Sequence, residues 1–308
     1  MHTAITIDAL KVLDAIDRRG SFAAAAGELF RVPSAISYTV QKLEEDLGVD
    51  IFDRSGHRAT LTPAGKYLLK EGRALLEATE ALAHTTRQVA QGWETRLRIG
   101  FNSLLPVEAL FPVVQEFYQL GLPVEVQLVE EVFAGTWDAL QARRVDLAVG
   151  ADQVSRPTGA FTMRSLGRVP FVFAVAAHHP LALETQPLSE DAITQYPAAV
   201  AADSSRNLPA GSAGIFRRQQ TITVSNIDQK IAAQVAGLGV GWLPLSRIRQ
   251  QLEEGTLVVC EVEQPRDTLT VHIVRRSDEQ GKALEWFWER LSQPDLYQDW
   301  LEREQPTD

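Results

Sequence analysis

Residues 20–65 read GSFAAAAGELFRVPSAISYTVQKLEEDLGVDIFDRSGHRATLTPAG, and the rest of the chain is arranged around them. Phe22, Ala25, Ala26 and Leu29 put one narrow apolar stripe on a first helix. Its alanines let a second helix approach closely, and Phe30-Arg31-Val32 supplies the turn between the two. Pro33 suits the first turn of the second helix, where the missing N–H has no intrahelical partner to lose. On that helix Ile36, Val40, Leu43 and Leu47 share a buried face and leave Ser34, Ser37, Tyr38 and Gln41 together on the other. The outer face is polar and uncharged, which suits base edges in a major groove: Gln can bond adenine through both amide atoms, and Ser can serve several bases. Gly48 reads as a helix end. Val49, Ile51 and Phe52, then Ala59 and Leu61, read as two short strands around Asp53 to Arg58. Arg31, Arg54, His57 and Arg58 are placed to meet phosphates, the last three at the tip of this hairpin.

The run Ser21-Phe22, the alanines, Leu29, Ala35-Ile36-Ser37, Leu43-Glu44, Leu47-Gly48, Phe52-Asp53-Arg54 and Leu61-Thr62-Pro63-Ala64-Gly65 resembles the winged helix-turn-helix of LysR-type transcriptional regulators. One departure bears on recognition. The family usually has Gln where this chain has Pro33, and Pro where it has Ser34, so base readout falls to Ser34, Ser37, Tyr38 and Gln41.

At 308 residues, 45% hydrophobic and 23% charged, the chain is long enough for two or three soluble domains with real cores. The N-terminus lacks a basic start followed by an apolar run, and no segment reaches the length of a membrane span, so a cytoplasmic protein is expected. The single cysteine, Cys260, excludes an intrachain disulfide and a cysteine zinc cluster. No metal site and no cofactor are expected. Net charge is −10, yet residues 1–92 carry 11 basic against 12 acidic groups, so the acidity lies in the remainder, with 19 against 28. DNA binding must then rest on placed charges and on several copies acting together rather than on a general positive field.

Leu10, Leu13 and Ile16 form the apolar stripe of a supporting helix over residues 7–19. From Pro63 to about Gly92, Leu68, Leu75, Leu82 and Val89 recur every seven residues. A helix of this length and one-sidedness does not stand alone in water. It either packs on its own domain or joins two chains, and the resemblance implies the second, with tetramers built through the remaining domain as well.

Beyond Gly92 strands alternate with helices. Residues 97–101, 124–129 and 146–150 read as strands, with helices at 106–120 and 133–143. A second set has strands at 171–175, 198–201, 221–224 and 239–243 and helices at 226–236 and 245–254. The chain returns for a strand at 269–274 and a helix at 280–291, and the last dozen residues read as a polar tail. Such alternation implies parallel sheets. The layout, with His179-Pro180-Leu181-Ala182 and the run from Ala236 to Pro244, resembles the periplasmic-binding-protein-like effector domain of the same family. The expected architecture is multidomain, α and α/β: a winged helix-turn-helix over 1–65, a linker and dimerisation helix over 66–92, and a two-lobed effector-binding domain over 93–308. Lobe I takes about 93–165 and 268–308, and lobe II about 166–267.

Parallel sheets bind ligands beyond the carboxyl ends of their strands. That places Asn102 and Ser103 in one lobe, and Ser204, Ser205, Ser225 and Asn226 in the other, at a common cleft. Ser204, Ser225 and Asn226 could equally cap helices. Phe133 and Phe171 are candidates for the cleft wall or the core. The expected effector is a small organic molecule, a carboxylate among the candidates, held by hydrogen bonds rather than by a dedicated arginine clamp. A solute-binding protein and a cleft enzyme are the alternatives that two lobes allow. Gly237-Leu238-Gly239-Val240-Gly241 follows a helix and precedes a strand, the wrong order for a dinucleotide loop. The pairs Glu130-Glu131 and Glu253-Glu254 diverge on any regular element and read as solvated surface.

Overall fold

The computed structural model describes residues 5–54, 60–209, 211 and 214–303. The chain forms two compact units, Met1–Gln91 and Gly92–Asp308.

The first unit runs α1 (Ile7–Arg19), α2 (Phe22–Glu28), α3 (Pro33–Leu47), β1 (Phe52–Asp53), β2 (Thr60–Leu61) and α4 (Pro63–Ala90). Three of the four helices begin on hydroxyl caps. Thr6, Ser21 and Thr62 accept from Ala9, Ala24 and Gly65 amides at 3.1, 3.1 and 3.0 Å. The exception, α3, has Pro33 in its first turn and ends at Gly48, whose φ of 69° few other residues would adopt without strain. Val12, Leu13, Ile16, Ala25, Ala26, Ile36, Val40, Ile51, Phe52 and Leu69 fill the core. β1 and β2 pair antiparallel, Phe52 with Leu61, and the expected wing tip at His57 and Arg58 lies outside the described residues.

The first half of α4 belongs to this core. A Cβ on Gly72 would come within 2.7 Å of Leu10, and Arg73 reaches back to Asp14 and Asp17 of α1, at 2.8 Å each. Leu68, expected in the intermolecular seam, instead packs against the core of its own unit, because its turn of α4 still lies over α1 and the wing. Leu75, Leu82 and Val89 are 52, 67 and 50% exposed, an apolar face on the half of α4 that has left the core.

The second unit runs in chain order β3 (Arg96–Asn102), α5 (Phe111–Tyr118), β4 (Glu125–Glu131), α6 (Gly135–Gln141), β5 (Leu147–Asp152), β6 (Phe161–Val169) and β7 (Phe171–Ala176). It continues with α7 (Glu190–Thr194), β8 (Ala198–Ala201), β9 (Thr221–Val224), α8 (Ile227–Val235), β10 (Gly241–Pro244), α9 (Arg249–Glu253), β11 (Leu257–Val259), β12 (Leu269–Arg276) and α10 (Lys282–Leu291).

One lobe is a five-stranded sheet, β4-β3-β5-β12-β6. Here β4, β3 and β5 are parallel, as helical crossovers require, while β12 runs antiparallel to both β5 and β6. Every residue of β5 is buried, which explains its uninterrupted apolar reading. The other lobe centres on β7, flanked antiparallel by β10 and β11, with the parallel pair β8-β9 joined through an Ala198–Val240 bridge. The sheets are thus mixed rather than parallel.

The expected change of lobe near 165 falls inside β6, which stays in the first sheet to Val169 before the chain crosses at Pro170. The expected helices at 106–120 and 245–254 each divide into a 3-10 turn, Val107–Leu110 or Leu245–Arg247, and a shorter helix. The last dozen residues are not simply a polar tail. Tyr297 is buried with its hydroxyl donating to the Leu291 carbonyl at 3.0 Å, and Glu302 exchanges backbone bonds with Arg168 of β6. Among the described residues no helix is long and apolar enough to cross a membrane.

Candidate nucleic-acid interface and interlobe cleft

Ile36, Val40 and Leu43 anchor α3 in the first unit, and Ser34, Ser37, Tyr38 and Gln41 all stand exposed on its other side. Gln41 donates to Glu45 one turn along at 2.8 Å, so its amide is pre-set along the helix face. Phe30, 97% exposed, and Val32, also in water, flank the start of α3. Both belong to the turn expected between α2 and α3, and the turn presents them to water.

The arginines proposed for phosphates are engaged. Arg31 grips Asp8 through two bonds of 2.8 and 2.6 Å, and that contact holds the Asp8 carboxyl below its ordinary range. Arg54 meets Glu44 at 2.9 Å. The other Glu44 oxygen accepts the Ile51 and Phe52 amides at 2.8 and 3.0 Å, so one carboxylate on α3 fixes both the start of β1 and the arginine beyond it. Arg58 lies outside the described residues.

In the second unit a cavity of about 370 Å³ opens between the lobes. Asn102 and Ser103, at the end of β3, line it as expected, and Phe133 and Phe171 form part of its wall. The two polar residues are not equivalent. Asn102 is satisfied within its lobe, donating to Thr136 at 3.0 Å and accepting from the Leu104 amide at 3.1 Å. The Ser103 hydroxyl is buried without a hydrogen-bond partner, a state a folded protein seldom leaves unanswered.

Ser204, Ser205, Ser225 and Asn226 do not line the cavity. Ser204 donates to Glu131 of the opposite lobe and accepts from the Val132 amide at 2.9 Å. Ser205 donates its hydroxyl to the Leu208 carbonyl at 3.2 Å. Ser225 is exposed beside Gln229. Asn226 caps α8 and reaches Glu130 across the cleft at 2.9 Å. These strand ends do face the opposite lobe, but their side chains spend their bonds on a helix cap, on their own loop and on contacts between the lobes.

That clasp is extensive. Asp203 accepts from the Ala134 and Gly135 amides of the opposite lobe at 3.2 and 3.1 Å, and from Ser205 and Gly211 at 2.7 and 2.5 Å. Asp138 on α6 answers by accepting from the Arg206 and Asn207 amides at 3.0 and 3.1 Å. Burial opposes ionisation of Asp138, but its bonds to Arg144 and to those amides outweigh burial and keep the carboxyl below its ordinary range. Gly135 is needed here, since a Cβ would sit 1.8 Å from the Ser204 hydroxyl.

Two basic side chains in the cavity wall went unforeseen. Lys230, on the inner face of α8 and only 6% exposed, donates to the Trp242 carbonyl at 2.8 Å. Burial, with the nearby Arg266 charge, pushes its amine down to about 7. Arg266 lies 3.8 Å over the Phe171 ring, and burial lowers its proton affinity against the opposing pull of Asp152. Lys230 had a signal in the sequence: with Ile227, Ile231 and Gln234 it falls on the apolar stripe of a helix. Arg266 had none, being in a loop. Both line a cavity in which hydrogen bonds, rather than a dedicated arginine clamp, were expected to hold the effector.

Glu44→Ala is expected to lower the stability of the first unit by about 1–3 kcal/mol, because it leaves two backbone amides without acceptors. Urea denaturation followed by the first unit's helical signal checks this; an unchanged midpoint would show that Glu44 is not what holds the wing.

Residues 7–66 match the bacterial regulatory helix-turn-helix protein of the lysR family, and residues 90–294 match the LysR substrate binding domain. The chain is 41% identical over 285 residues to a probable HTH-type transcriptional regulator, YhaJ, of Escherichia coli, covering 92% of this chain and 94% of that one. It is 36% identical over 299 residues to the E. coli HTH-type transcriptional regulator PunR, covering 97 and 96%. Among solved structures, an OxyR mutant of Corynebacterium glutamicum shares the fold at a TM-score of 0.59 and 21% identity, with 96% of this chain and 94% of that one covered. The relatives are regulators, which sets aside the solute-binding and cleft-enzyme alternatives. The chain belongs to the LysR family: it is a DNA-binding transcriptional regulator with an effector-binding domain.

Proposed function

We propose that this regulator reads its operator with the outer face of α3 and changes its hold on DNA when a small organic effector enters the interlobe cavity. Ser34, Ser37, Tyr38 and Gln41 contact base edges, while Arg31, Arg54 and Arg58 meet phosphates. The exposed Leu75, Leu82 and Val89 join two chains, so that two reading heads address an interrupted inverted repeat. Tetramers built through the second unit, and a cytoplasmic location, complete the proposal. Functionally, residues 1–65 act as the reading head, 66–92 as linker and dimerisation helix, and 93–308 as sensor.

The observation that carries the sensor reading is the unpartnered Ser103 hydroxyl at the wall of the interlobe cavity. The effector supplies its missing partner, and a carboxylate is a suitable acceptor.

Gln41→Ala is expected to cost roughly 1–3 kcal/mol on the preferred site and to relax base choice at one position. Binding-site selection on random DNA reads both; unchanged affinity and preference would mean that α3 is oriented differently. Leu75→Asp combined with Leu82→Asp puts charge in the seam and should abolish paired-site binding, with the loss of dimer seen by sedimentation. Unaltered assembly in that double variant sinks the dimer-helix proposal. Ser103→Trp fills the cavity and should abolish the effector-dependent change in promoter occupancy. A variant responding with wild-type sensitivity would move the pocket elsewhere.

A further inference from the structure

We infer that Lys230 and Arg266 together form an anion-recognition pair in the interlobe cavity, so the effector class is a small carboxylate or like anion on an apolar body. This rests on the reading of the cavity as the sensor site and goes further by assigning the charge and the residues that select it.

The electrostatics of the wall carry the argument. Two other buried basic side chains of this unit, Arg247 and Arg276, meet Asp228 and Glu279 directly. Lys230 is equally buried, yet among the described residues neither it nor Arg266 lies within ion-pair distance of a carboxylate. Of the cavity's two acids, Asp203 is committed to four backbone amides, while Asp152 accepts from the Ser155 amide at 2.8 Å and acts on Arg266 only from beyond ion-pair distance. Lys230 has one neutral acceptor, the Trp242 carbonyl, and Arg266 rests on a ring face. A buried cation without counter-charge is costly, and an entering anion removes that cost.

The remaining wall selects the body of the ligand. Phe133, Phe171, Ile215, Trp242 and Leu269 offer aromatic and aliphatic surface, and about 370 Å³ admits a small molecule rather than a peptide or dinucleotide. Ser103 adds a neutral hydroxyl from the other lobe.

Protonation gives a second readout. The charged groups lining the cavity with Lys230 are Arg266, Asp152 and Asp203. With its amine near 7 in the empty cavity, Lys230 is charged below that pH and neutral above it. Anion binding favours the charged form, so binding takes up a proton above neutrality and weakens as pH rises from 6 to 9.

The test is calorimetric titration of the full-length chain with matched probes: hexanoate against hexanamide, and indole-3-acetate against indole-3-acetamide. At least one carboxylate should bind at least tenfold tighter than its amide, and the preference should shrink as pH rises. Lys230→Met and Arg266→Gln should each remove most of that preference, whereas Lys230→Arg should keep it and lose the pH dependence. Arg266→Gln answers the question if Lys230→Met fails to fold. Amides binding as well as acids, no binding by either acid at about 10 mM, or a preference untouched by Arg266→Gln overturns the inference. If amides bind and change promoter occupancy, the sensor reading survives without the anion pair. If an acid binds through Lys230 and Arg266 with no effect on occupancy, the pair survives and the sensor reading falls.

Discussion

A carboxylate accepting main-chain amides from a neighbouring element is the interaction on which both units depend. Glu44 does this for the wing, Asp203 and Asp138 for the two lobes, and Glu94 for α10, whose Ala283 and Leu284 amides it accepts at 2.9 Å each. Helix starts and strand ends leave amides that must find partners. Answering them from another element fixes geometry that apolar packing alone would leave free to slide. Close approach follows, and small residues are required at those contacts: a Cβ on Gly135 or Gly281 would collide with Ser204 or Glu94.

This device explains which features could be read in the sequence. The stripes of α1, α2 and α3 repeat a period along one element, so Ile36, Val40 and Leu43 were legible, and with them the exposed face opposite. The place of Ser103 in the cavity wall was legible because strand ends face clefts. Ser204 and Asn226 were not, because whether a hydroxyl or amide faces a ligand or another lobe is decided by partners some 70 to 100 residues away. Leu68 fell on the right heptad but in the half of α4 that its own domain covers. Strand direction in β6, β11 and β12 depends on how the chain returns between lobes, which no local period records.

Charge in the first unit poses a related question. Arg18, Arg19, Arg31, Arg54 and Arg73 all meet carboxylates, so their positive charge is locally compensated in the free protein. For Arg31 and Arg54 a phosphate would compete with Asp8 and Glu44 rather than fill an empty site. Exchange of one anion for another gains less than capture of an anion by a free cation. Under the proposed reading, affinity then leans on the α3 face assigned to bases and on two heads acting together, and discrimination benefits, because phosphate attraction alone holds any sequence.

In the second unit the logic is inverted, and this couples the cavity to the clasp. Lys230 and Trp242 belong to one lobe, and Ser103 and Asp152 to the other. The lobes close over Lys230 with no carboxylate at ion-pair distance, at an electrostatic cost that burial imposes. The bonds of Asp203, Ser204 and Asn226 offset that cost in the empty state. An anion bound between Lys230, Arg266 and Ser103 adds attraction to the same closed arrangement, and it can do so only while both lobes supply their groups. Its free energy therefore weights the closed form over any state in which the clasp has parted, which is the differential affinity that a ligand needs in order to shift a conformational equilibrium.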